Sequence, residues 1–307
     1  MKISIIGAGN VGGLTAMRIL EEGIADVVLI DIAKGLAQAK AFDLDDARSI
    51  IGHDKTIEGT EVFSKIAGSD IVVVTAGLAR KPGMTREDLL KKNHAILKDI
   101  SAHIKELTPD AIVIVVSNPV DIMTYVMLKE TGFDRRRMFG MGAGLDSSRF
   151  NNLISKKTGI VSSKINALVL GSHGQTMIPL PELSTVNGKS LTQILKKDEI
   201  DVLVSRTKNR GAEIVSLYGS GSAYFAPAAA ILDICLAIIK DKSKIIPVSA
   251  LLHGEYGVKG TCIGVPVKIA KKGISEIIQL DLAESDKKLF MDSAEAIRKS
   301  IKVIYPD

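Results

Sequence analysis

Short runs of Val and Ile alternate with longer amphipathic segments in the first part of the chain. Four runs have the continuous apolar character of strands covered on both faces: Lys2–Ile6, Val27–Asp31, Ile71–Ala76 and Ala111–Ser117. The segments with apolar residues at helical spacing are Val11–Glu22, Leu36–Ala47 and Arg86–Leu107. This strand–helix alternation predicts right-handed crossovers and an α/β fold of the Rossmann type, with a doubly wound parallel sheet.

The pattern changes after residue 141. Strands are predicted at Ile165–Leu170, Ile246–Leu252 and Thr261–Lys268, of which the last two read as an antiparallel pair. Helices are predicted at Lys196–Leu217, Ala223–Lys240 and Asp286–Ile304. We therefore expect residues 1–141 to form a Rossmann domain and residues 142–307 a mixed α+β catalytic domain that also serves oligomerisation, with both halves in one body.

Composition and charge narrow the class of protein. Of the 307 residues, 46% are hydrophobic and 24% charged, which excludes a disordered chain. The net charge is +5, but the basic residues are scattered and not interleaved with aromatic side chains, so no nucleic-acid partner is expected. No apolar run is long enough to span a bilayer, and no basic leader precedes the first strand, so we expect no membrane partner.

Cysteine usage points to a reducing compartment. Cys235 and Cys262 form no CxxC pair and no metal-ligand cluster with the five histidines. The sequence therefore predicts neither a disulfide scaffold nor a metal site, and favours the cytoplasm.

A glycine-rich loop stands between the first strand and the first helix. Gly7-Ala8-Gly9-Asn10-Val11-Gly12 has the spacing of a dinucleotide-binding loop in its required context. Gly7 would permit the tight turn, Gly9 the close approach of a pyrophosphate, and Gly12 the packing of helix on strand. Asp31 follows Gly12 by 19 residues, where a carboxylate binds ribose hydroxyls and repels a 2′-phosphate. The loop predicts NAD rather than NADP as cofactor.

Four further patches carry reactive side chains at loops or helix starts. They are Gly77-Leu78-Ala79-Arg80-Lys81-Pro82-Gly83-Met84-Thr85-Arg86, Ser117-Asn118-Pro119, Leu145-Asp146-Ser147-Ser148-Arg149-Phe150 and Gly171-Ser172-His173-Gly174. Together with the glycine loop, and in this order, these motifs resemble the lactate/malate dehydrogenase family over essentially the whole chain. The match is best to the malate dehydrogenases of its lactate-dehydrogenase-like branch.

The resemblance implies a role for each of these side chains. His173 would be the general acid–base, a task suited to its ordinary pKa, and Asp146 would hold its imidazole in one tautomer. Arg149 would bind the substrate carboxylate through two parallel hydrogen bonds. Arg86 would polarise the substrate carbonyl, and Asn118 would lie near the same oxygen.

The resemblance also implies the cofactor contacts and the substrate. The cofactor-binding set comprises Gly7, Gly9, Asn10, Val11, Gly12, Asp31, Thr75, Ala76, Gly77, Asn93, Val116 and Asn118. Arg80 would recognise the second carboxylate of malate or oxaloacetate, on a lid over Leu78–Leu90 that also carries Arg86. The small Ala223 would leave room for the longer dicarboxylate. Gln175 departs from the family, which usually has Asp after the HisGly pair.

The expected activity is the reversible transfer of hydride between (S)-malate and oxaloacetate with NAD(H), in a homotetramer or homodimer of the tricarboxylic acid cycle. A lactate or other 2-hydroxy-acid dehydrogenase is the alternative, against which Arg80 and Ala223 argue.

An NAD-dependent glycosidase, a class that shares this fold, would need a metal bound by Cys and His. Neither Cys235 nor Cys262 is near a candidate His motif. A non-catalytic protein that responds to NAD would not need His173, Asp146 and Arg149, so the presence of all three argues against it.

Overall fold

The computed structural model describes residues 1–78 and 84–306. Within them the strands are β1 (Lys2–Ile6), β2 (Asp26–Ile30), β3 (Ile57–Thr60), β4 (Ile71–Val74), β5 (Ile112–Val115), β6 (Met138–Gly140), β7 (Ile165–Asn166), β8 (Val169–Gly171), β9 (Met177–Pro179), β10 (Thr185–Val186), β11 (Lys189–Ser190), β12 (Lys244–His253), β13 (Lys259–Ala270) and β14 (Gly273–Ile277). The helices are α1 (Asn10–Glu21), α2 (Leu36–Asp46), α3 (Arg48–Ile51), α4 (Arg86–Leu107), α5 (Val120–Thr131), α6 (Ala143–Thr158), α7 (Lys197–Tyr218), α8 (Phe225–Ile239) and α9 (Glu284–Ile304).

The first six strands form a parallel sheet in the order β3-β2-β1-β4-β5-β6. Its central strands are runs of β-branched residues: β4 is Ile-Val-Val-Val and β5 is Ile-Val-Ile-Val, and every residue in both is buried. Such runs are favoured where helices cover both faces of a sheet. The order is that of a doubly wound Rossmann fold, so the predicted fold class is confirmed.

The same sheet continues into the second half of the chain. Strand β12 pairs with β6, β13 with β12, and β8 with β13, all antiparallel. Two of these junctions rest on one residue pair each: Gly140 with Ser249, and Gly171 with Gly264. A Cβ on Gly140 would collide with Thr124, and one on Gly264 would lie 2.5 Å from the Gly171 carbonyl oxygen. Glycine therefore lets α5 pack closely on β6 at the first junction, and lets β8 and β13 meet closely at the second.

The predicted strand Ile165–Leu170 is wrong as one element. The chain leaves one sheet and enters another within it, because β7 pairs with β10 in a small separate sheet whereas β8 pairs with β9 and β13. Between them, Leu168 donates its N–H to the Ser184 hydroxyl at 3.0 Å instead of to a neighbouring strand. The helix predicted from Ala223 begins two residues later, at Phe225. In the described part of the chain no helix is both long and apolar enough to cross a bilayer.

Candidate active site

Three loops meet where the carboxyl ends of the parallel strands come together. The glycine loop follows β1, Thr75 to Leu78 follow β4, and Val116 to Pro119 follow β5. The Thr75 hydroxyl donates to the Gly7 carbonyl at 2.9 Å, and the Ser117 hydroxyl donates to the Ala76 carbonyl. Strand order reverses between β1 and β4, which is where Rossmann sheets bind their ligands.

The three glycines of the glycine loop differ in why a side chain is excluded or tolerated. Gly7 adopts φ 110°, and a Cβ there would lie 2.6 Å from Thr75 Oγ1. A Cβ on Gly12 would overlap the Gly7 carbonyl oxygen. A Cβ on Gly9, by contrast, would meet nothing within 4 Å. The space over Gly9 is therefore open. Gly9 is also the N-cap of α1, so no capping side chain occupies the first N–H groups of this helix. First-turn N–H groups lack intrahelical acceptors, so this cradle fits a phosphate.

Asp31 lies against this loop from the end of β2. Its Oδ2 accepts the Ala8 N–H at 2.7 Å, and its Oδ1 accepts the Ala33 N–H at 2.9 Å. Lys40 on α2 donates from Nζ to the Gly9 carbonyl at 3.0 Å, which adds a positive charge beside the cradle. A carboxylate next to the phosphate cradle is the arrangement that a dinucleotide ribose requires, so the residues present fit that cofactor.

Asn93 connects two of the predicted cofactor loops from inside. Its residue is 1% exposed, and its Oδ1 accepts the Leu78 N–H at 2.8 Å. Its Nδ2 donates to the Asn118 carbonyl at 2.8 Å and to the Leu78 carbonyl at 3.3 Å. Gly77 lies beside it with φ 155°, and Val116 is buried at the end of β5. Asn93 thus fixes the loops against each other, and a direct contact with cofactor stays a prediction.

His173, Asp146 and Arg149 form one hydrogen-bonded group. Asp146 and Arg149 are one turn apart on α6, and Arg149 Nη1 lies 3.0 Å from Asp146 Oδ1. The other oxygen of Asp146 lies 2.7 Å from Nδ1 of His173. Gly171, at φ 85°, ends β8 and turns the chain toward His173. The three side chains are largely buried, with exposed fractions of 1% for Asp146, 13% for Arg149 and 17% for His173.

This group determines which imidazole nitrogen can exchange a proton. An ionised carboxylate only accepts hydrogen bonds, so Nδ1 of His173 carries its proton toward Asp146 and Nε2 is the titrating atom. Burial lowers the pKa of His173, but the charge of Asp146 and the hydrogen bond to it outweigh burial, and the net pKa is raised. The pair therefore favours an imidazolium that can deliver a proton from Nε2.

The backbone of His173 has an anchor that the sequence did not predict. Asp121, near the start of α5, accepts the His173 N–H at Oδ2 (2.8 Å) and the Ser249 hydroxyl at Oδ1 (2.6 Å). Burial raises the pKa of Asp121 to about 6, although both hydrogen bonds lower it. The only sequence signal for it was its position two residues after the AsnPro motif.

The predicted lid lies partly outside the described residues. Arg80 belongs to the segment that the structure leaves out, whereas Arg86 is the first residue of α4 and is exposed. Thr85 caps that helix: its Oγ1 accepts the Asp88 N–H at 3.0 Å, and its own N–H donates to Asp88 at 3.1 Å. The start of α4 is thus fixed, with the Arg86 side chain at the surface.

In the part of the chain that the structure describes, the other reactive side chains form no second cluster, although Cys262 lies near Asp121. Cys235 and Cys262 are buried free thiols, and burial raises the pKa of Cys235 to about 12. Among the described residues, no three His, Cys, Asp or Glu side chains are grouped to hold a metal ion. Gln175 is exposed next to the His173 loop.

Comparison with known proteins identifies the family. Residues 1–140 match the model of the lactate/malate dehydrogenase NAD-binding domain, and residues 143–305 that of the lactate/malate dehydrogenase alpha/beta C-terminal domain. A malate dehydrogenase of Methanosarcina barkeri is 48% identical over 300 residues, which cover 98% of each chain.

Solved structures give the same result. The malate dehydrogenase from Aeropyrum pernix aligns with a TM-score of 0.94 at 44% identity, covering 98% of this chain and 97% of the other. A Cryptosporidium parvum lactate dehydrogenase, complexed with lactic acid and nicotinamide adenine dinucleotide, aligns with a TM-score of 0.96 at 36% identity, covering 100% and 98%. The chain therefore belongs to the lactate/malate dehydrogenase family.

Proposed function

We propose that this protein is an NAD-dependent malate dehydrogenase that interconverts (S)-malate and oxaloacetate. The observation that carries the proposal is the buried group of His173, Asp146 and Arg149, in which Nε2 of the imidazole remains available for a proton. Its relatives include curated malate dehydrogenases at 44% to 48% identity over nearly the whole chain.

His173 moves the proton in this proposal. In the reducing direction its Nε2 donates to the carbonyl oxygen of the ketoacid, and in the oxidising direction it accepts the hydroxyl proton of malate. Asp146 stabilises the imidazolium and keeps Nδ1 protonated. A bound nicotinamide would supply or receive the hydride at the adjacent carbon.

The arginines bind and polarise the substrate. Arg149 presents a planar guanidinium that can pair with a carboxylate through two hydrogen bonds, while Asp146 holds one end of it. Arg86 would stabilise negative charge on the carbonyl oxygen, and Asn118 would lie near the same atom.

The cofactor would be held at the carboxyl ends of β1, β2, β4 and β5. The pyrophosphate would lie over Gly9 at the start of α1, with Asn10, Val11 and Gly12 offering N–H groups. Asp31 would bind the ribose hydroxyls and disfavour NADP. The remaining contacts that we propose come from Thr75, Ala76, Gly77, Asn93, Val116 and Asn118.

Arg80 is the proposed determinant of the substrate. A dicarboxylate whose second carboxylate lacked a partner in the closed site would lose about 3–5 kcal/mol. That is a discrimination of roughly a hundred- to a few-thousand-fold. Ala223, just before α8, adds room for the longer substrate.

The test compares NADH oxidation with oxaloacetate, pyruvate and 2-ketoisocaproate. We expect oxaloacetate to give the highest kcat/KM, and Arg80→Gln to lower it by at least about a hundredfold while raising that of pyruvate. Faster turnover of pyruvate by the wild type would favour the lactate or other 2-hydroxy-acid dehydrogenase. A substrate ratio that Arg80→Gln leaves unchanged would remove Arg80 from recognition.

We also propose the division into residues 1–141 and 142–307, a cytoplasmic location and a homotetramer, with a homodimer as the alternative. Apolar side chains exposed on and beside α2, such as Phe42 (71%) and Ile50 (87%), suit a twofold contact between subunits. Light scattering would measure the assembly.

A further inference from the structure

Asp121 is a buried acid that the proposed chemistry does not use. The residue is 4% exposed, and each carboxylate oxygen accepts one hydrogen bond: Oδ1 from the Ser249 hydroxyl, Oδ2 from the His173 N–H. It therefore ties together α5, β12 and the loop that carries the imidazole. Neither of these hydrogen bonds involves the ring of His173, whose Nδ1 faces Asp146.

Making these two hydrogen bonds with a buried carboxylate costs more free energy than making them with a neutral side chain. Burying a charge carries a desolvation penalty that a neutral amide avoids. Asparagine would accept the His173 N–H through Oδ1 and donate from Nδ2 to the Ser249 oxygen, because a hydroxyl can both donate and accept. The local geometry can therefore be met without a charge, which leaves the charge itself to be explained.

The charged and titratable groups near Asp121 indicate what the charge does. Among the described residues, the groups whose charge acts on Asp121 or responds to it are His173 on its loop, Asp146 on α6 and Cys262 on β13. Arg149 lies farther out, on Asp146. Asp146 repels the Asp121 charge, whereas an imidazolium at His173 is stabilised by it. His173 thus has one carboxylate at Nδ1 and a second behind its backbone.

We propose that Asp121 is a positioning residue for the proton transfer: it fixes the His173 backbone to α5 and β12, and its charge stabilises the imidazolium. This inference rests on the proposed function, in which the imidazolium is the proton donor to the ketoacid. Asp146 orients the ring, and Asp121 sets the position of the loop and adds to the affinity of the ring for its proton.

The experiment compares Asp121→Asn with a matched control, Ser293→Ala. Ser293 accepts the N–H of Ser172, the residue before His173, at 3.0 Å. The Ser293 hydroxyl also lies 3.2 Å from Thr176 Oγ1, so its loss loosens the same loop by two hydrogen bonds without changing any charge. The His173 pKa is read in the free protein from its ring NMR signals, assigned with His173→Asn, and in turnover from the pH profile of kcat/KM for oxaloacetate reduction.

The sign of the expected change follows from the donor role of the imidazolium. Reduction falls as pH rises through the pKa of His173, so Asp121→Asn should move that fall to lower pH by about one unit. Ser293→Ala should leave it in place. A His173 titration that Asp121→Asn does not move, or that Ser293→Ala moves equally, would overturn the proposal.

A measurement on the wild type keeps the test independent of whether the variant folds. The His173 ring signals should depart from the curve of a single ionisation on its acid side, because Asp121 ionises there and its pKa is raised by burial. A titration that fits one independent ionisation contradicts the charge coupling. Because the NMR titration uses no substrate, a failure of the malate activity would appear separately, as absent turnover with oxaloacetate.

Discussion

Replacing Asp121 with asparagine should stabilise the folded chain at alkaline pH, even though Asp121 is hydrogen-bonded to the backbone of His173. Burial raises the pKa of this carboxyl from 3.8 to about 6. An acid whose pKa is higher in the folded state favours folding when protonated. That contribution is fully present below about pH 4 and is lost as pH rises through about 6.

The size of the effect follows from the shift. About two pKa units at 1.36 kcal/mol each correspond to a cost of about 3 kcal/mol once the carboxylate is ionised in both states. Roughly half of this, about 1.4 kcal/mol, develops between pH 5 and pH 8, because the unfolded carboxyl is already ionised at pH 5. Asparagine keeps both hydrogen bonds and has no ionisation to oppose.

Urea unfolding of the wild type and Asp121→Asn at these two pH values provides the assay. The free energy of unfolding of the variant, relative to wild type, should rise by about 1.4 kcal/mol from pH 5 to pH 8. Ser293→Ala should show the same difference from wild type at both. If the Asp121→Asn difference is also independent of pH, the buried carboxylate does not carry the cost assigned to it, and the reasoning fails.

Four further variants test the site itself. His173→Asn should lower turnover by at least about a hundredfold while NADH binding, followed by fluorescence, persists; retained turnover would remove His173 from the mechanism. Asp31→Ser should narrow the preference for NAD over NADP in kcat/KM, and an unchanged ratio would contradict its ribose role. Gly12→Ala, whose Cβ overlaps the Gly7 carbonyl, should destabilise the fold by about 1–3 kcal/mol. Gly9→Ala should weaken only NADH binding, because its Cβ meets open space; equal stability loss in both would refute this distinction.

Among the helices, the sequence was most informative where one face meets solvent. Helix α4 was predicted with its observed ends, Arg86 and Leu107, because its apolar residues recur at helical spacing. Helix α5 was missed. Nine of its twelve residues are buried, so the amphipathic period that marks a surface helix is absent.

The candidate site was predictable where the spacing of two residues along one helix determines that their side chains are neighbours. Asp146 and Arg149 are three residues apart on one helix, and the structure shows them in contact, with His173 on the same carboxylate. Asp121 could not be predicted in this way. Its partners are 52 and 128 residues away, and only the folded sheet brings them together.

The junction between β6 and β12 has a consequence for how this molecule can move and be recombined. Ser249 pairs there with Gly140 of the cofactor-side sheet, and the same residue holds Asp121, which holds the His173 backbone. His173 is thus connected, through Asp121 and Ser249, to the sheet whose carboxyl ends bear the glycine loop. Opening of the two halves as separate rigid bodies would break this chain of contacts. A chimera that combines the N-terminal half of this protein with the C-terminal half of a relative would have to keep Gly140, Ser249 and Asp121 together.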